Sequence, residues 1–263
     1  MVLVGLIGNV MEWYDFAVYG YFAGTIGQLF FPTNNPVVSL IASFGAFAAG
    51  FLVRQLGGLV FGRIGDLVGR QRAMLLSVMA MAIPTVVMGL LPTYGMIGVA
   101  APVLLVMLRL IQGLSVGGEY TSSLVFLVEH APPGRRAFSA VWGAWGASAG
   151  TLLGSGVGFF TAMLLTPDQL QSWGWRLPFL LGGCVAAVGL WLRQGMQVEA
   201  PPAHSKAPTR EVFTTYLQPV LRVALLNLGF GAGLWQMAAT LLLCLFLARF
   251  ISGSASFALT VGI

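Results

Sequence analysis

Apolar residues occur along this chain in long runs, each about as long as a membrane span, and short polar segments separate one run from the next. A transmembrane helix needs about 20 consecutive, mostly apolar residues. The pattern therefore predicts an all-α polytopic membrane protein. Its predicted spans are residues 2–30, 37–61, 73–91, 97–128, 137–165, 177–192 and 223–250.

The predicted spans fall into three regions. Residues 1–192 form a bundle of six transmembrane helices, residues 193–222 form a polar linker that contains several prolines, and residues 223–263 begin a second bundle with the seventh helix and the turn after it. The chain enters an apolar helix almost at once and stops where an eighth span would begin. We therefore expect it to be truncated.

Composition places the chain in lipid. Charged residues make up 8% of it and apolar residues 57%, whereas a soluble domain carries about 25% charged residues. The net charge of +5 is not accompanied by a basic run with interleaved aromatic residues, so the sequence argues against a nucleic-acid partner. The predicted surroundings are a lipid bilayer.

Basic residues are distributed unevenly among the predicted loops. Because cytoplasmic loops carry an excess of Lys and Arg, the basic loops after spans two, four and six are predicted to be cytoplasmic. The other loops contain only Arg176 and Arg249. The basic residues of the predicted cytoplasmic loops are Arg63, Arg70, Arg72, Arg135, Arg136, Arg193, Lys206, Arg210 and Arg222.

Cysteine and histidine do not indicate a metal site or a catalytic centre. Cys184 and Cys244 lie in apolar runs, where a thiol behaves as a small hydrophobic group. His130 and His204 lie in loops without a second ligand at metal-binding spacing. The sequence therefore predicts a protein that is not an enzyme and that uses no metal or cofactor.

Ionisable residues inside two of the spans require an explanation, because a charge within the bilayer costs at least a few kcal/mol and usually faces a cavity or a partner. Two stripes of such residues follow helical spacing, and we expect both to face a wet passage between spans one and four. The first stripe is Glu12, Asp15 and Tyr19, and the second is Arg109, Gln112 and Glu119.

Two roles are open for these stripes. Arg109 and Glu119 are about 15 Å apart along one helix, so Arg109 must find a carboxylate on another span or on an anionic ligand. One interpretation is a buried ion pair that only fixes helix register. The other is that Glu12, Asp15 or Glu119 carries a coupling proton, because burial favours the neutral carboxyl, while Arg109 contacts a carboxylate of a substrate.

A short basic segment, residues 62–74, is predicted to be a glycine-containing turn between spans two and three. Its glycines permit tight turning, and Asp66 can cap a helix or pair with an arginine. The turn is either a solvated loop that sets topology or a latch whose ion pairs close the cytoplasmic side. The candidate gating residues are Gly62, Asp66, Gly69, Arg70 and Arg72.

Two further patterns concern packing. Glycines recur at every fourth position on one face of span five, which permits close approach of a neighbouring helix or, alternatively, sliding. The predicted turn at residues 166–175 places Trp173 and Trp175 where an interfacial aromatic belt would lie. The glycines are Gly146, Gly150, Gly154 and Gly158.

Several of these motifs resemble a known family. The segment Gly62-x-x-x-Asp66-x-x-Gly69-Arg70-x-Arg72 is similar to the signature loop of the major facilitator superfamily. The segment Gly8-Asn9-Val10-Met11-Glu12-Trp13-Tyr14-Asp15-Phe16 resembles the first helix of its metabolite:proton symporter branch, which includes proline/betaine, 2-oxoglutarate, citrate and shikimate permeases. Further similar segments are Arg109-Leu110-Ile111-Gln112-Gly113, Gly117-Gly118-Glu119, Glu129-His130-Ala131-Pro132 and Trp173-Gly174-Trp175-Arg176-Leu177-Pro178-Phe179.

The resemblance implies a twelve-helix carrier of two six-helix halves with the substrate site between them. This chain would supply the N-terminal half, the linker and the seventh helix. The implied function is proton-coupled symport of a small polar metabolite, an organic acid or a betaine/proline-like zwitterion, by a monomeric carrier in the bacterial inner membrane. The alternatives are a facilitator or exchanger without proton coupling, an inactive truncated fragment, or a membrane-embedded sensor or enzyme.

Two positions depart from the family pattern. Gln55 stands where the family usually has proline, and Gln71 stands where its loop usually has a basic residue. Loss of a charge from the loop would weaken a latch, so both departures concern gating rather than fold.

Overall fold

The computed structural model of the chain describes residues 2–68 and 70–194, with 217–218, 221–222 and 225. The chain divides into two compact units, residues 1–203 and 204–263. Nearly all of the predicted linker and of the seventh span lies outside the described residues. Those domain boundaries therefore stay predictions.

Every regular element in the described part of the first unit is helical, which confirms the predicted all-α fold. Six long helices follow the first six predicted spans closely, and α1 has the predicted bounds. A π-helical turn, Leu170–Gly174, joins the last two helices. The helices are α1 (Val2–Phe30), α2 (Pro36–Val68), α3 (Arg70–Leu90), α4 (Tyr94–Ile97), α5 (Ala100–Glu129), α6 (Arg136–Leu164), α7 (Pro167–Gln169) and α8 (Arg176–Gln194).

Four of these helices contain segments that are long and apolar enough to cross a membrane, judged by length and composition over the described residues. A shorter apolar segment, Leu75–Leu90, lies in α3. Helix α1, which carries the polar stripe, is not among these four. The four segments are Pro36–Arg54, Ala100–Gly117, Arg136–Leu164 and Arg176–Arg193.

The predicted turn at residues 62–74 is wrong. Helix α2 continues to Val68 and α3 begins at Arg70, so Asp66 lies inside a helix and does not cap one. Glycine inside a helix costs only about 1 kcal/mol relative to alanine, and glycine alone therefore did not end α2. Its 33 residues measure about 50 Å, longer than a hydrocarbon core of about 30 Å.

The predicted turns at the other end of the bundle also contain helix. Two of the predicted turn residues 93–95, Tyr94 and Gly95, lie in α4. This helix ends at Gly98 with φ of +60°, a conformation that favours glycine. Thr166 and Gln169 form a capping box at the start of α7. Trp173 is exposed as the aromatic belt requires, but Trp175 is fully buried in the core against Phe30 and Phe179, which corrects its predicted position.

Glycine allows two helix pairs to pack backbone to backbone. The predicted glycine face of α6 lies against α1, where a Cβ added to Gly154 would stand 2.6 Å from the carbonyl oxygen of Tyr14. Helices α2 and α5 pack in the same way at Gly50 and Gly113. A Cβ added to Gly113 would overlap the carbonyl group of Gly50. These contacts favour the packing interpretation of the glycine face.

The helix pairings fix the direction of each helix. Residue numbers rise together along α1 and α6 and along α2 and α5, and in opposite directions along α3 and α8. One end of the bundle therefore contains the turn at residues 130–135, the last residues of α2 and α8, and the first residues of α3. Which membrane side this end faces stays a prediction, and the described arginines there are Arg63, Arg72, Arg135, Arg136 and Arg193.

We expect Gly154→Ala to lower the thermal unfolding temperature of the full-length protein in detergent, because its added methyl group would overlap the α1 backbone, and overpacking costs about 1–3 kcal/mol. Gly156→Ala is the matched control, since nothing lies within 4 Å of its added Cβ. Equal unfolding temperatures for the two variants would contradict the packing described here.

Candidate functional site

The structure brings five of the six predicted pathway residues together. Glu12, Asp15 and Tyr19 of α1 are buried, and so are Arg109 and Gln112 of α5. The two polar stripes therefore face each other inside the bundle, as their spacing predicted. The side chain of Glu119, also on α5, lies outside the described residues.

Asp15 is the centre of a buried hydrogen-bond network that joins three helices. Its Oδ2 accepts from Arg109 Nη1 at 2.5 Å, and the two side chains are 1% and 2% exposed. Its Oδ1 accepts from Gln112 Nε2 and from Thr85 Oγ1 of α3, both at 3.1 Å. Gln112 also donates to Thr85 at 2.7 Å. The Asp15 side chain thus accepts hydrogen bonds from donors on two neighbouring helices, α3 and α5.

Aromatic rings fix the other side of Arg109. Its guanidinium carbon lies 3.9 Å from the ring centre of Tyr19 and 5.6 Å from that of Phe47, and such cation–π contacts are favourable. Tyr19 is itself held, because its hydroxyl donates to the carbonyl oxygen of Ser43 on α2 at 2.8 Å. The Tyr19 ring therefore lies against the Arg109 guanidinium and helps to hold it in place.

A second acid–arginine pair lies one helical turn away on α1 and was missed by sequence reasoning. Arg54 Nη1 of α2 lies 2.9 Å from Glu12 Oε1. The Glu12 side chain is fully buried, whereas that of Arg54 is 25% exposed. The sequence did contain a sign of this pair, because Arg54 is a charged residue at the end of a long apolar run. The spacing of residues within one helix could not show which acid of another helix it contacts.

The two arginines border the same small cavity between α1, α2 and α5. Its volume is about 20 Å³, enough for about one water molecule. Two buried atoms of its lining residues, Arg109 Nε and Gln112 Oε1, have no hydrogen-bond partner among the described residues. The lining residues are Phe16, Phe47, Gly50, Phe51, Arg54, Arg109, Gln112, Gly113 and Val116.

The predicted residues point into the interior, where Asp15 pairs with Arg109 beside the small cavity. The wet passage between spans one and four stays a prediction. Arg109 has found the carboxylate of another span, which was one of the two predicted partners.

The candidate gating residues are described only in part. Gly62 of α2 and Arg72 of α3 are exposed near the shared end of these helices. Gly69 and the side chains of Asp66 and Arg70 lie outside the described residues, as do the side chains of Gln55 and Gln71. The latch stays a prediction.

A sequence profile described as sugar (and other) transporter matches residues 1–194. The chain is 42% identical over 196 residues to the glycine betaine/proline/ectoine/pipecolic acid transporter OusA of Dickeya dadantii, covering 74% of this chain and 39% of that protein. It is 42% identical over 194 residues to the shikimate transporter of Escherichia coli, covering 73% and 44%. It is 44% identical over 187 residues to the alpha-ketoglutarate permease of Escherichia coli, covering 71% and 43%.

Solved structures agree with the fold. The proton:xylose symporter XylE, a major facilitator superfamily protein, bound to 6-bromo-6-deoxy-D-glucose, superposes with a TM-score of 0.67 at 20% identity, covering 75% of this chain and 44% of that one. A double-tryptophan variant of XylE gives 0.68 at 21% identity, with the same coverage. The chain therefore has the fold of a six-helix half of this superfamily, and it spans about two fifths of the length of the curated relatives it matches.

We expect Arg109→Gln to destabilise the full-length protein strongly, because it leaves the Asp15 carboxylate buried without its arginine, and breaking a buried pair costs about 3–5 kcal/mol. The double variant Asp15→Asn/Arg109→Gln should recover most of that loss. Thermal unfolding in detergent measures both. Losses that simply add in the double variant would show that the pair does not interact as described.

Proposed function

The chain belongs to the sugar (and other) transporter family of the major facilitator superfamily, and we propose that it forms the N-terminal half of a proton-coupled symporter for a small metabolite that carries a carboxylate. The observation that carries this proposal is the pair of acid–arginine contacts, Asp15–Arg109 and Glu12–Arg54, on one helix face beside one cavity. Buried ionisable groups are expensive inside a membrane protein and mark transport pathways.

The substrate class follows from the arginines and agrees with the relatives. The names of these relatives contain glycine betaine, proline, ectoine, pipecolic acid, shikimate and alpha-ketoglutarate. All six compounds carry a carboxylate group. A guanidinium binds a carboxylate through two parallel hydrogen bonds. Both an organic acid and a zwitterion fit this chemistry, so both remain candidates.

Competition for an arginine supplies the proton coupling. In the structure each arginine is held by an acid of α1. When the carboxylate of a substrate takes that arginine, the displaced acid remains buried, and a buried carboxyl without its cation favours the protonated form. Substrate and proton therefore bind together, and both leave when the acid regains its arginine.

The cavity beside the two arginines is too small for such a substrate. Binding between two bundles that rock in turn toward each side of the membrane gives the missing space. In this proposal the protein lies in the bacterial inner membrane and acts as a monomer, with the turns after the second, fourth and sixth long helices in the cytoplasm.

One alternative has an observation in its favour. A facilitator or exchanger without proton coupling is favoured by the pairing of Glu12 and Asp15 with arginines, since a site that is already neutral needs no proton.

We expect vesicles containing the full-length protein to accumulate proline, glycine betaine, shikimate or 2-oxoglutarate when the outside is made acidic. This accumulation should stop when a protonophore collapses the pH gradient. The double variant Glu12→Gln/Asp15→Asn should lose accumulation, because neither acid can then take a proton. Asp168→Asn, at an exposed position of α7, is the matched control and should behave as wild type.

Uptake of a radiolabelled substrate, measured with equal and with unequal pH on the two sides of the membrane, distinguishes proton-coupled transport from transport without coupling. Uptake that is equally fast with and without the gradient would leave the facilitator alternative. Undiminished accumulation by the double variant would remove Glu12 and Asp15 from the mechanism.

A further inference from the structure

We propose that Thr85 of α3 is a positioning residue. Together with Gln112 it keeps the Oδ1 atom of Asp15 occupied, so that Arg109 and the coupling proton compete for one atom, Oδ2. This inference rests on the proposed function and deepens it, because it selects Asp15 as the acid that exchanges its arginine for a proton. Thr85 was not among the residues that the sequence singled out.

The two carboxylate oxygens of Asp15 have different partners. Oδ1 accepts from Gln112 Nε2 and from Thr85 Oγ1, both at 3.1 Å, whereas Oδ2 accepts from Arg109 Nη1 at 2.5 Å. A carboxylate oxygen has about two lone-pair sites, so the two donors fill those of Oδ1. Oδ2 is therefore the atom at which a partner can be exchanged.

The hydroxyl group of Thr85 has one proton and two acceptors within reach. One is Asp15 Oδ1, and the other is the carbonyl oxygen of Met81 at 2.9 Å, four residues earlier in α3. A helical threonine often donates to that carbonyl, but an ionised acceptor makes the stronger hydrogen bond. Gln112 Nε2 donates to Thr85 Oγ1 at 2.7 Å, which leaves the Thr85 proton directed toward the carboxylate.

Because Oδ1 is filled, the arginine and the proton become alternatives. When the carboxylate of a substrate takes Arg109, a hydronium ion gives its proton to Oδ2 and becomes water, while Arg109 keeps its charge. Oδ1 is then the carbonyl oxygen of a neutral acid and still accepts from Gln112 and Thr85. Arg109 can return only to Oδ2, whose hydroxyl now acts as a donor, so the proton must leave first.

Loss of the Thr85 hydroxyl would break this link. One lone pair of Oδ1 would become free, and Arg109 could bind there while Oδ2 keeps its proton. The ion-pair site would then close with a proton and without a substrate. Protons would cross the membrane alone, and the pH gradient would no longer drive accumulation.

Other titratable groups near Asp15 have partners of their own in the described chain. The hydroxyl of Tyr14 donates to the carbonyl oxygen of Pro178 on α8 at 2.6 Å, and that of Tyr19 donates to Ser43 on α2. Neither tyrosine therefore donates its proton to Asp15. The groups on the surrounding helices are Glu12, Tyr14 and Tyr19 of α1, Arg54 of α2, Arg109 of α5, and Cys184 of α8, which acts electrostatically on Tyr14.

The first test separates coupling from transport itself. Its probe is whichever of proline, glycine betaine, shikimate and 2-oxoglutarate the full-length wild type accumulates in vesicles. In Thr85→Val, which keeps the shape of the side chain, accumulation under a pH gradient should fall toward equal concentrations inside and outside. Uptake of the same compound down its own gradient should continue. Thr85→Ser should accumulate as wild type does.

Thr161→Val is the matched control for this test. Thr161 is also a buried helical threonine, but its hydroxyl donates to the Val157 carbonyl at 2.7 Å, four residues earlier in α6. This variant should accumulate as wild type does. Thermal unfolding checks that each variant is folded, and Thr85→Ala replaces Thr85→Val if the latter is not.

The second test uses infrared difference spectra of the same proteins. The C=O band of a protonated carboxyl group moves to higher wavenumber when its carbonyl oxygen loses a hydrogen bond. The band that appears when substrate binds should therefore lie higher in Thr85→Val than in wild type or Thr85→Ser, and it should be absent from Asp15→Asn.

Four results would overturn the inference and leave the proposed function standing. They are full accumulation by Thr85→Val, equal loss of accumulation and of downhill uptake, an unshifted band in Thr85→Val, and a band that persists in Asp15→Asn. If wild type shows neither accumulation nor a band, the proposed function fails as well.

Discussion

Burial of two carboxylates on one helix is the constraint on which the rest of this structure depends. Glu12 and Asp15 lie in the interior of α1, where an unpaired charge would cost several kcal/mol. Each therefore needs a cation from a neighbouring helix, and the bundle provides Arg54 from α2 and Arg109 from α5. This requirement places α2 and α5 against one face of α1 and leaves a small cavity between the three helices.

Glycine makes that arrangement possible. The arginines reach α1 from two helices that lie side by side, and α2 and α5 approach closely where Gly50 faces Gly113 and where Gly117 lies against the Arg54 backbone. On the opposite side α1 rests on the glycine face of α6. The polar network and the close packing thus depend on each other, because a wider spacing would separate each arginine from its acid.

The sequence predicted the helices and the polar face but not the partners. Apolar runs gave the bounds of α1 correctly, and the spacing of Asp15 and Tyr19 placed them on one buried face. Turns were predicted less well, because glycine in the segment 62–74 is compatible with a helix that extends beyond the bilayer. The pairings of Asp15 with Arg109 and of Glu12 with Arg54 join residues far apart in the chain, and the spacing within one helix contains no information about such contacts.

In the proposed function, a buried acid of α1 exchanges its arginine for a proton when a carboxylate substrate binds. Infrared difference spectroscopy of the full-length protein, recorded before and after the transported acid is added, observes that exchange directly. The proposed function predicts a new band from a protonated carboxyl group, which shifts in heavy water and is absent from the double variant Glu12→Gln/Asp15→Asn. A difference spectrum in which every carboxyl group keeps its protonation state would contradict it.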